Sequence, residues 1–590
     1  MAQARELAES GAVRARLERI LDPRLLAFAD GGWAGLLHAA LLAAAFAPFN
    51  LWFLAPFAVV PLLFISRRRP GRLFSMALGV WVGASVFWDW QMLWVWEVSP
   101  VGFLPLVAYL SLFPTLFVVL MARLRRRRPG VPVAGAAAVL WVGIEYLRGE
   151  LLFDGYAWYF VAHPLINLAP ALGASVLGAY GVGLAVLAPT LAIIELARSP
   201  FNKLCRLQAA ACLLLLALAL AMGGLARLGP HEESQQVRIA LVQTNIPQDN
   251  RSAWSHDSRV QTLVLLEEKT REAASQGAQI VVWPETMFPG YFLDQATARS
   301  IARNDRLHEE FRFFVETVRQ RVLDLSEETG VSIVVGAIAY ENFVFEDIDG
   351  ELRDRFDRSF NSAFLVEGGR LTDQRYDKLH LTPFGEAMPY IEKWPALQQR
   401  LLALGARGMS FDLSRGDAPK VLQPSTTGVS LATPICFEIT VAKVCRRLVR
   451  EAPGPVVLVN MTNDGWFGRS DRGREAHLLA ARWRAAELGI PVVRAANTGI
   501  SAAIDAGGRI ADRLDTRAPG LLVADVVAAA PRSAQMTVGE LPGIAALIGG
   551  VLVMVLGLGR RPNGQRPAPP PADTPPDGTR EPSTGEERTA

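Results

Sequence analysis

Apolar and charged residues are sorted along this chain rather than mixed, and that sorting limits what it can fold into. Between Gly32 and Gly224 about seven apolar segments follow one another, at roughly 32–49, 51–65, 73–96, 101–122, 131–147, 171–197 and 205–223, and an eighth lies at 541–558. A helix that crosses a bilayer needs ~20 predominantly apolar residues. The third, fourth and sixth segments meet that length easily. The second is short, and with the first it forms either two spans or a hairpin that does not fully cross. Hydrophobic types make up 51% of the 590 residues and charged types 20%. The charged share excludes a chain buried wholly in lipid, so a polar domain must sit outside it.

The basic residues test the span count. Arg67, Arg68, Arg69 and Arg72 lie between the second and third segments, and Arg123 with Arg125 to Arg128 between the fourth and fifth. Arg198, Lys203 and Arg206 lie between the sixth and seventh, and Arg560 and Arg561 follow the eighth. All fall on one side if the N-terminus is inside and every segment crosses. Lys and Arg concentrate in cytoplasmic loops, so the charge pattern supports about eight transmembrane helices with both termini cytoplasmic. The net charge of +3 gives no support for a nucleic-acid partner. Residues 1–31 read as a cytoplasmic N-terminal segment. Up to Asp30 they lack the early apolar core and cleavage site of a secretory signal, so the spans themselves direct insertion.

The loops on the other side are aromatic. Trp88, Trp90, Trp94 and Trp96 crowd the end of the third segment, and Phe153, Tyr156, Trp158, Tyr159 and Phe160 the loop after the fifth. They read either as an interfacial belt or as a lipid-access surface beneath an outer domain. Glu145 and Arg148 are spaced to share a helix face, as a structural bridge or a headgroup contact.

Segment 225–540 has a different grammar. Short apolar runs at 237–244, 279–283, 332–339, 361–366, 429–435, 456–460, 492–495 and 521–527 read as strands. Amphipathic stretches at 258–276, 308–329, 439–451 and 473–488 read as helices. This alternation predicts an α/β domain of layered sheets with helices outside, placed outside the cytoplasmic membrane by the basic loops. Residues 541–558 form the final span. Residues 559–590, rich in Pro, Gly, Thr and Glu, read as a disordered cytoplasmic tail.

Three features of the outer domain carry chemistry. Ile280 to Glu285 is an apolar run that stops at Pro284 and presents a carboxylate. Tyr376 to Glu386 places Lys378 and Glu386 on one loop. Thr433 to Glu438 places Cys436 at the end of an apolar run. Singly, each has a plainer reading: a core cysteine, a salt-bridged glutamate, a solvated lysine. Cys436 and Cys445 also form a possible disulfide in an oxidising compartment. Together they are an acyl-transfer set. A free thiol has pKa ~8.5, so a carboxylate that takes its proton activates it, and an ammonium offsets the negative charge that develops on the attacked carbonyl. No histidine, metal or cofactor is required, and the absence of CxxC and HExxH leaves a zinc site without support.

These motifs resemble the nitrilase (carbon–nitrogen hydrolase) superfamily, whose Glu–Lys–Cys triad occurs in this chain order on an αββα sandwich. The flanking spans are similar to one membrane branch, the apolipoprotein N-acyltransferase family. The resemblance rests on Trp283-Pro284-Glu285, the Lys378 to Glu386 loop, Cys436-Phe437-Glu438, Asn463-Asp464-Gly465-Trp466-Phe467-Gly468, Arg494 to Ser501, and Gln243 to Gln248, which reads QTNIPQ. It implies Glu285 as general base, Lys378 as oxyanion partner and Cys436 as nucleophile, with Glu386 and Glu438 as supporting carboxylates. Trp254, Phe437 and Trp466 are the implied substrate-binding aromatics. Phe437 stands where members often carry Tyr, so any role of that hydroxyl is absent, and Gly465 stands where Ala is common.

The implied reaction takes an acyl group from a membrane phospholipid resembling phosphatidylethanolamine, holds it as a Cys436 thioester, and passes it to the α-amine of the S-diacylglyceryl cysteine of an apolipoprotein. The implied setting is the bacterial inner membrane with a periplasmic catalytic domain. The alternatives are a membrane-anchored nitrilase-type amidase and a transporter or lipid-binding protein.

Overall fold

The computed structural model describes residues 22–67, 72–227, 234–247, 254–349, 351–394, 400, 413–531 and 533–558. Most of the expected N-terminal segment, the tail 559–590, Arg68, Arg69, Arg560, Arg561 and Gln248 lie outside the described residues.

The N-terminal region is helical: α1 (Pro23–Ala45), α2 (Val60–Ile65), α3 (Leu73–Val98), α4 (Pro100–Arg127), α5 (Ala134–Tyr146), α6 (Ala174–Arg198) and α7 (Lys203–Arg227). Five of these, α1, α3, α4, α6 and α7, are long and apolar enough to cross a membrane. The stretches Trp52–Ile65 and Leu541–Leu556 are shorter apolar helices. Segment 51–65 is indeed its own case: a 3-10 turn at Trp52–Phe57, then α2. The first helix starts earlier than the apolar run suggests, because Asp22 caps it by accepting from the Arg24 amide at 2.7 Å and Pro23 fits the first turn. After α5 the chain continues as a π-helical turn, Leu147–Leu151.

Small residues let α1 and α3 pack backbone to backbone. A Cβ on Gly31 would sit 2.1 Å from the Met76 carbonyl oxygen, and one on Gly79 would sit 2.0 Å from that of Phe28. Gly35 and Gly83 repeat the pattern one turn on, the small-xxx-small arrangement of membrane helix pairs.

The α/β region contains β1 (Ser234–Gln243), α8 (His256–Ser275), β2 (Ile280–Val282), α9 (Gln295–Ala302), α10 (Glu309–Thr329), β3 (Ser332–Glu341), β4 (Val344–Ile348), β5 (Glu351–Arg355), β6 (Arg358–Glu367) and β7 (Arg370–Asp377). It continues with β8 (Ser430–Ala432), α11 (Ala442–Arg450), β9 (Val456–Thr462), α12 (Asp471–Leu488), β10 (Val492–Ala496), β11 (Ala502–Ile504), β12 (Ile510–Arg513), β13 (Gly520–Ala529) and α13 (Gln535–Val538). Then α14 (Leu541–Leu558) returns to the bundle.

Eleven strands hydrogen-bond in the order β12-β11-β10-β9-β13-β1-β2-β3-β6-β7, with β8 on β9. The link between β13 and β9 is a single residue pair, Ala529 with Val456, so the sheet has two halves. β1, β2 and β3 run parallel in one half, and β8, β9 and β10 in the other. Side-chain alternation sorts the faces. Ile239, Leu241, Ile280 and Val282 share a core with Val457, Val459 and Val493 of the other half. Ala240, Val242, Val281 and Ile333 point the other way, onto Leu266 of α8 and Val322 of α10.

Candidate active site

The chemistry-bearing residues each follow a strand of the sheet. Glu285 follows β2, Lys378 follows β7, and Cys436 follows β8 as the first residue of a 3-10 turn, Cys436–Thr440. Trp283 fills the core behind Glu285, its indole N–H donating to the Thr270 hydroxyl at 3.1 Å.

Glu285 is buried and held from two sides. One oxygen accepts from the Asn361 side chain at 2.7 Å, and the other from the Asn463 amide at 2.8 Å. The Lys378 ammonium lies 3.5 Å away, and the Cys436 thiol is within hydrogen-bonding reach. Burial raises the Glu285 carboxyl above the usual carboxylate range, although Lys378 pulls it down. Lys378 has no exposed side-chain surface and contacts Glu386 at 2.7 Å. Burial alone would lower its pKa, but Glu386 and Glu285 outweigh burial and keep it raised. Glu386 also accepts from the Thr382 amide at 2.8 Å. Against the effect of burial, Lys378 holds it below its ordinary value.

Cys436 is partly exposed, Cys445 is buried, and both are free, so the pair is not a disulfide. The φ of Cys436, 51°, is in the left-handed region, a costly conformation for a residue with a Cβ. Burial and then Glu285 raise the thiol pKa, so the resting group is S–H rather than thiolate. Glu438 ties the Cys436 turn to the lysine loop. Its carboxylate accepts from the amides of Ile435 at 2.8 Å, Leu379 at 2.7 Å and His380 at 2.9 Å, and from the Tyr376 hydroxyl. Burial pushes Glu438 up to about 7, opposed by Lys378 and these donors.

The aromatics divide. Phe437, next to Cys436 in the chain, stacks on His380 at 6.0 Å. Trp466 is half-buried in the 3-10 turn Asp464–Phe467. Trp254 has the Arg259 guanidinium 5.7 Å from its ring. Several residues given no role from sequence also build the site. Asn361 and Asn463 orient Glu285, and Asn497 in turn holds Asn463 at 3.1 Å and the QTNIPQ turn through Thr244 at 2.7 Å. Asn497 was visible only as part of a motif, and Asn361 carried no signal.

The loops expected to form a belt or lipid-access surface mostly dock the domain. Trp94 meets Phe467 edge-on at 4.8 Å, Arg472 lies 4.1 Å from the Trp90 ring, and Trp158 stacks on His477 at 5.7 Å. Trp96 stays exposed. Glu145 and Arg148 both grip the aromatic loop: Glu145 accepts from the Val161 amide at 2.8 Å, and Arg148 donates to the Trp158 carbonyl at 2.6 Å. Among the described residues no cluster of three or more His, Cys, Asp or Glu is gathered for a metal.

The carbon–nitrogen hydrolase family model matches residues 238–535, and the model for the apolipoprotein N-acyltransferase N-terminal domain matches residues 38–191. Fold, strand-end site and matched span define a carbon–nitrogen hydrolase domain joined to an apolar helical bundle. The chain belongs to the apolipoprotein N-acyltransferase family. It is 31% identical over 574 residues to the apolipoprotein N-acyltransferase of Bradyrhizobium diazoefficiens, covering 91% of this chain and 98% of the relative. It is 31% identical over 596 residues to that of Rhodopseudomonas palustris, covering 93% and 99%. Among solved structures, an amidase of the nitrilase superfamily from Nesterenkonia aligns at 19% identity and TM-score 0.34, covering 51% of this chain and 93% of the amidase.

Proposed function

We propose that this enzyme moves a fatty acyl group from a membrane phospholipid, through a Cys436 thioester, to the α-amine of a diacylglyceryl apolipoprotein. The observation that carries the reading is the buried Glu285 carboxylate, which lies 3.5 Å from the Lys378 ammonium and interacts with the Cys436 thiol. In the first half-step Cys436 Sγ attacks the ester carbonyl while Glu285 takes its proton. Lys378 offsets the oxyanion, a contribution typically of ~10²–10³ in rate. The ester C–O bond breaks, Glu285 returns the proton to the departing alkoxide, and lysophospholipid leaves. In the second, the lipoprotein amine attacks the thioester, Glu285 accepts an amine proton, the C–S bond breaks and the thiol is restored.

The relatives are named for transfer to apolipoproteins, and the helical bundle supports lipid substrates. An acyl chain is held in a bilayer by ~0.8 kcal/mol per CH₂, so a site at the membrane surface avoids extracting either substrate. The amidase alternative leaves the matched N-terminal domain without a purpose. We place the enzyme in the bacterial inner membrane with about eight crossings, cytoplasmic termini and a periplasmic αββα domain. Intact-mass spectrometry of protein incubated with phosphatidylethanolamine vesicles tests the reading. An acyl adduct on Cys436 that disappears with a diacylglyceryl peptide is expected, and its absence with and without reductant sinks the thioester mechanism.

A further inference from the structure

Nothing in the two half-steps uses His477, a residue of α12 in the second turn beyond the Asp464–Phe467 loop. Yet its ring is buried and every edge of it is occupied. Nε2 is 3.1 Å from the carbonyl oxygen of Cys436. A carbonyl only accepts, so Nε2 carries the hydrogen. Nδ1 is 3.0 Å from Arg494 Nη2 and 3.0 Å from an Asp464 oxygen. With hydrogen on Nε2, a neutral ring accepts from Arg494, and Asp464 holds Arg494 by a second oxygen at 2.6 Å. The same Cys436 carbonyl accepts from Asn460 at 3.3 Å, and Arg494 also donates to the Asn460 side chain.

Two aromatic rings, one from the helical bundle and one from the domain, pack against the His477 ring. Trp158 stacks on it at 5.7 Å with 23° between planes, and Phe467 meets it edge-on at 5.9 Å. Trp158 is fixed in turn by Arg148, whose guanidinium lies between the Trp88 and Phe160 rings, 5.1 and 5.3 Å from their centroids. A left-handed cysteine persists only where its surroundings enforce it. We propose that His477 is a positioning residue for the nucleophile: it fixes the strained Cys436 peptide so that Sγ faces Glu285, and Trp158 couples that alignment to docking of the helical bundle. The catalytic turn is then set for chemistry only when the aromatic loop of the bundle is seated.

This inference rests on Cys436 being the acylated residue. The test is the single-turnover rate of Cys436 acylation in the full-length protein with phosphatidylethanolamine vesicles, read by intact mass at several lipid concentrations. His477→Phe keeps a ring between Trp158 and Phe467 and removes the donor. His477→Gln replaces the ring but restores an N–H. We expect the maximal rate of His477→Phe to fall ~100-fold, the effect of a misplacement of about 1 Å, with the half-saturating lipid concentration unchanged and substantial recovery in His477→Gln. Equal rates in His477→Phe and wild type overturn the proposal, as does a Gln variant no faster than the Phe variant, or a loss confined to half-saturation. Where His477→Phe fails to fold, Trp158→Ala serves, since it leaves every hydrogen bond of His477 in place, and a wild-type maximal rate there also overturns it. An adduct missing from wild type itself sinks the thioester mechanism, a distinguishable failure.

Discussion

At the scale of single residues the site keeps its charges where a neutral thiol can use them. Glu285 is raised by burial and must be ionised to take the Cys436 proton, while Lys378 is raised by Glu386 and Glu285 and stays charged. The sign follows. Acylation is lost as pH falls through the Glu285 pKa, which lies above the ordinary carboxylate value of ~4.3. A pH–rate profile of Cys436 acylation therefore has its acidic limb above that value, and a midpoint at or below it contradicts Glu285 as base. Glu285→Gln should lose ~10²–10⁴ of the rate, the range for removing a general base, with lipid binding retained. Glu285 and Cys436 were legible in sequence because each ends or follows an apolar run, and Lys378 because it shares the Tyr376 to Glu386 loop with a second carboxylate. Asn361 and His477 were not: one is an ordinary polar residue on β6, the other sits in an amphipathic helix where a histidine has no distinguishing spacing.

Elements set these residues at fixed distances. Gly336 on β3 lies directly behind the base: a Cβ there would be 2.5 Å from the Pro284 carbonyl oxygen and 3.0 Å from Glu285 Cα, both backbone atoms. Gly336→Ala should displace Glu285 and lower the acylation rate by ~10²-fold while the protein still folds, and full activity in that variant would show the strand can yield. Behind Cys436, Asp464 bridges Arg494 and His477 with no exposed side-chain surface. Burial opposes its ionisation, but Arg494 holds it well below the usual carboxylate range. Its stabilising contribution is therefore complete above the unfolded value of ~3.9 and lost as pH falls toward the folded one. Asp464→Asn leaves Arg494 buried without its counter-charge, at a cost of ~3–5 kcal/mol, readable as a lower denaturation midpoint at pH 7. An unchanged midpoint would refute that account. All eight strands read from sequence are present as β1, β2, β3, β6, β8, β9, β10 and β13. Of the five unread ones, β5 (ELRDR) and β7 (RLTDQRYD) are too polar to show alternation, β4 (VFEDI) and β12 (IADR) are broken by charges, and β11 (AAI) is a short run of mostly alanine.

For the whole molecule the question is which end of the bundle carries the domain. Near the end of α6, Glu195 accepts from the amides of Val133 and Ala134 at 2.9 Å and lies 3.3 Å from Arg67 and 3.8 Å from Arg125. Arg72 reaches Asp22, the cap of α1, at 3.7 Å. The basic loops and the start of α1 thus share one end. The domain docks at the other, where Trp94 meets Phe467, Glu97 abuts Gly468, and α6 breaks at Gly178 (φ 62°) to offer the Ala179 amide to Glu487 at 2.8 Å. After the domain, α14 rejoins the bundle by close approach to α5, with a Cβ on Gly143 only 2.6 Å from the Ala546 carbonyl oxygen. Since positive loops face the cytoplasm, sidedness has a direct consequence for labelling. In a background with Cys205, Cys212, Cys436 and Cys445 replaced by Ala, Thr426→Cys on the domain should react with a membrane-impermeant maleimide in cells whose outer membrane alone is opened. Lys203→Cys at the arginine end should react only after the inner membrane is lysed. The reverse pattern would put the catalytic domain in the cytoplasm, on the wrong side for exported lipoproteins, and would overturn the proposed topology while leaving the thioester chemistry untouched.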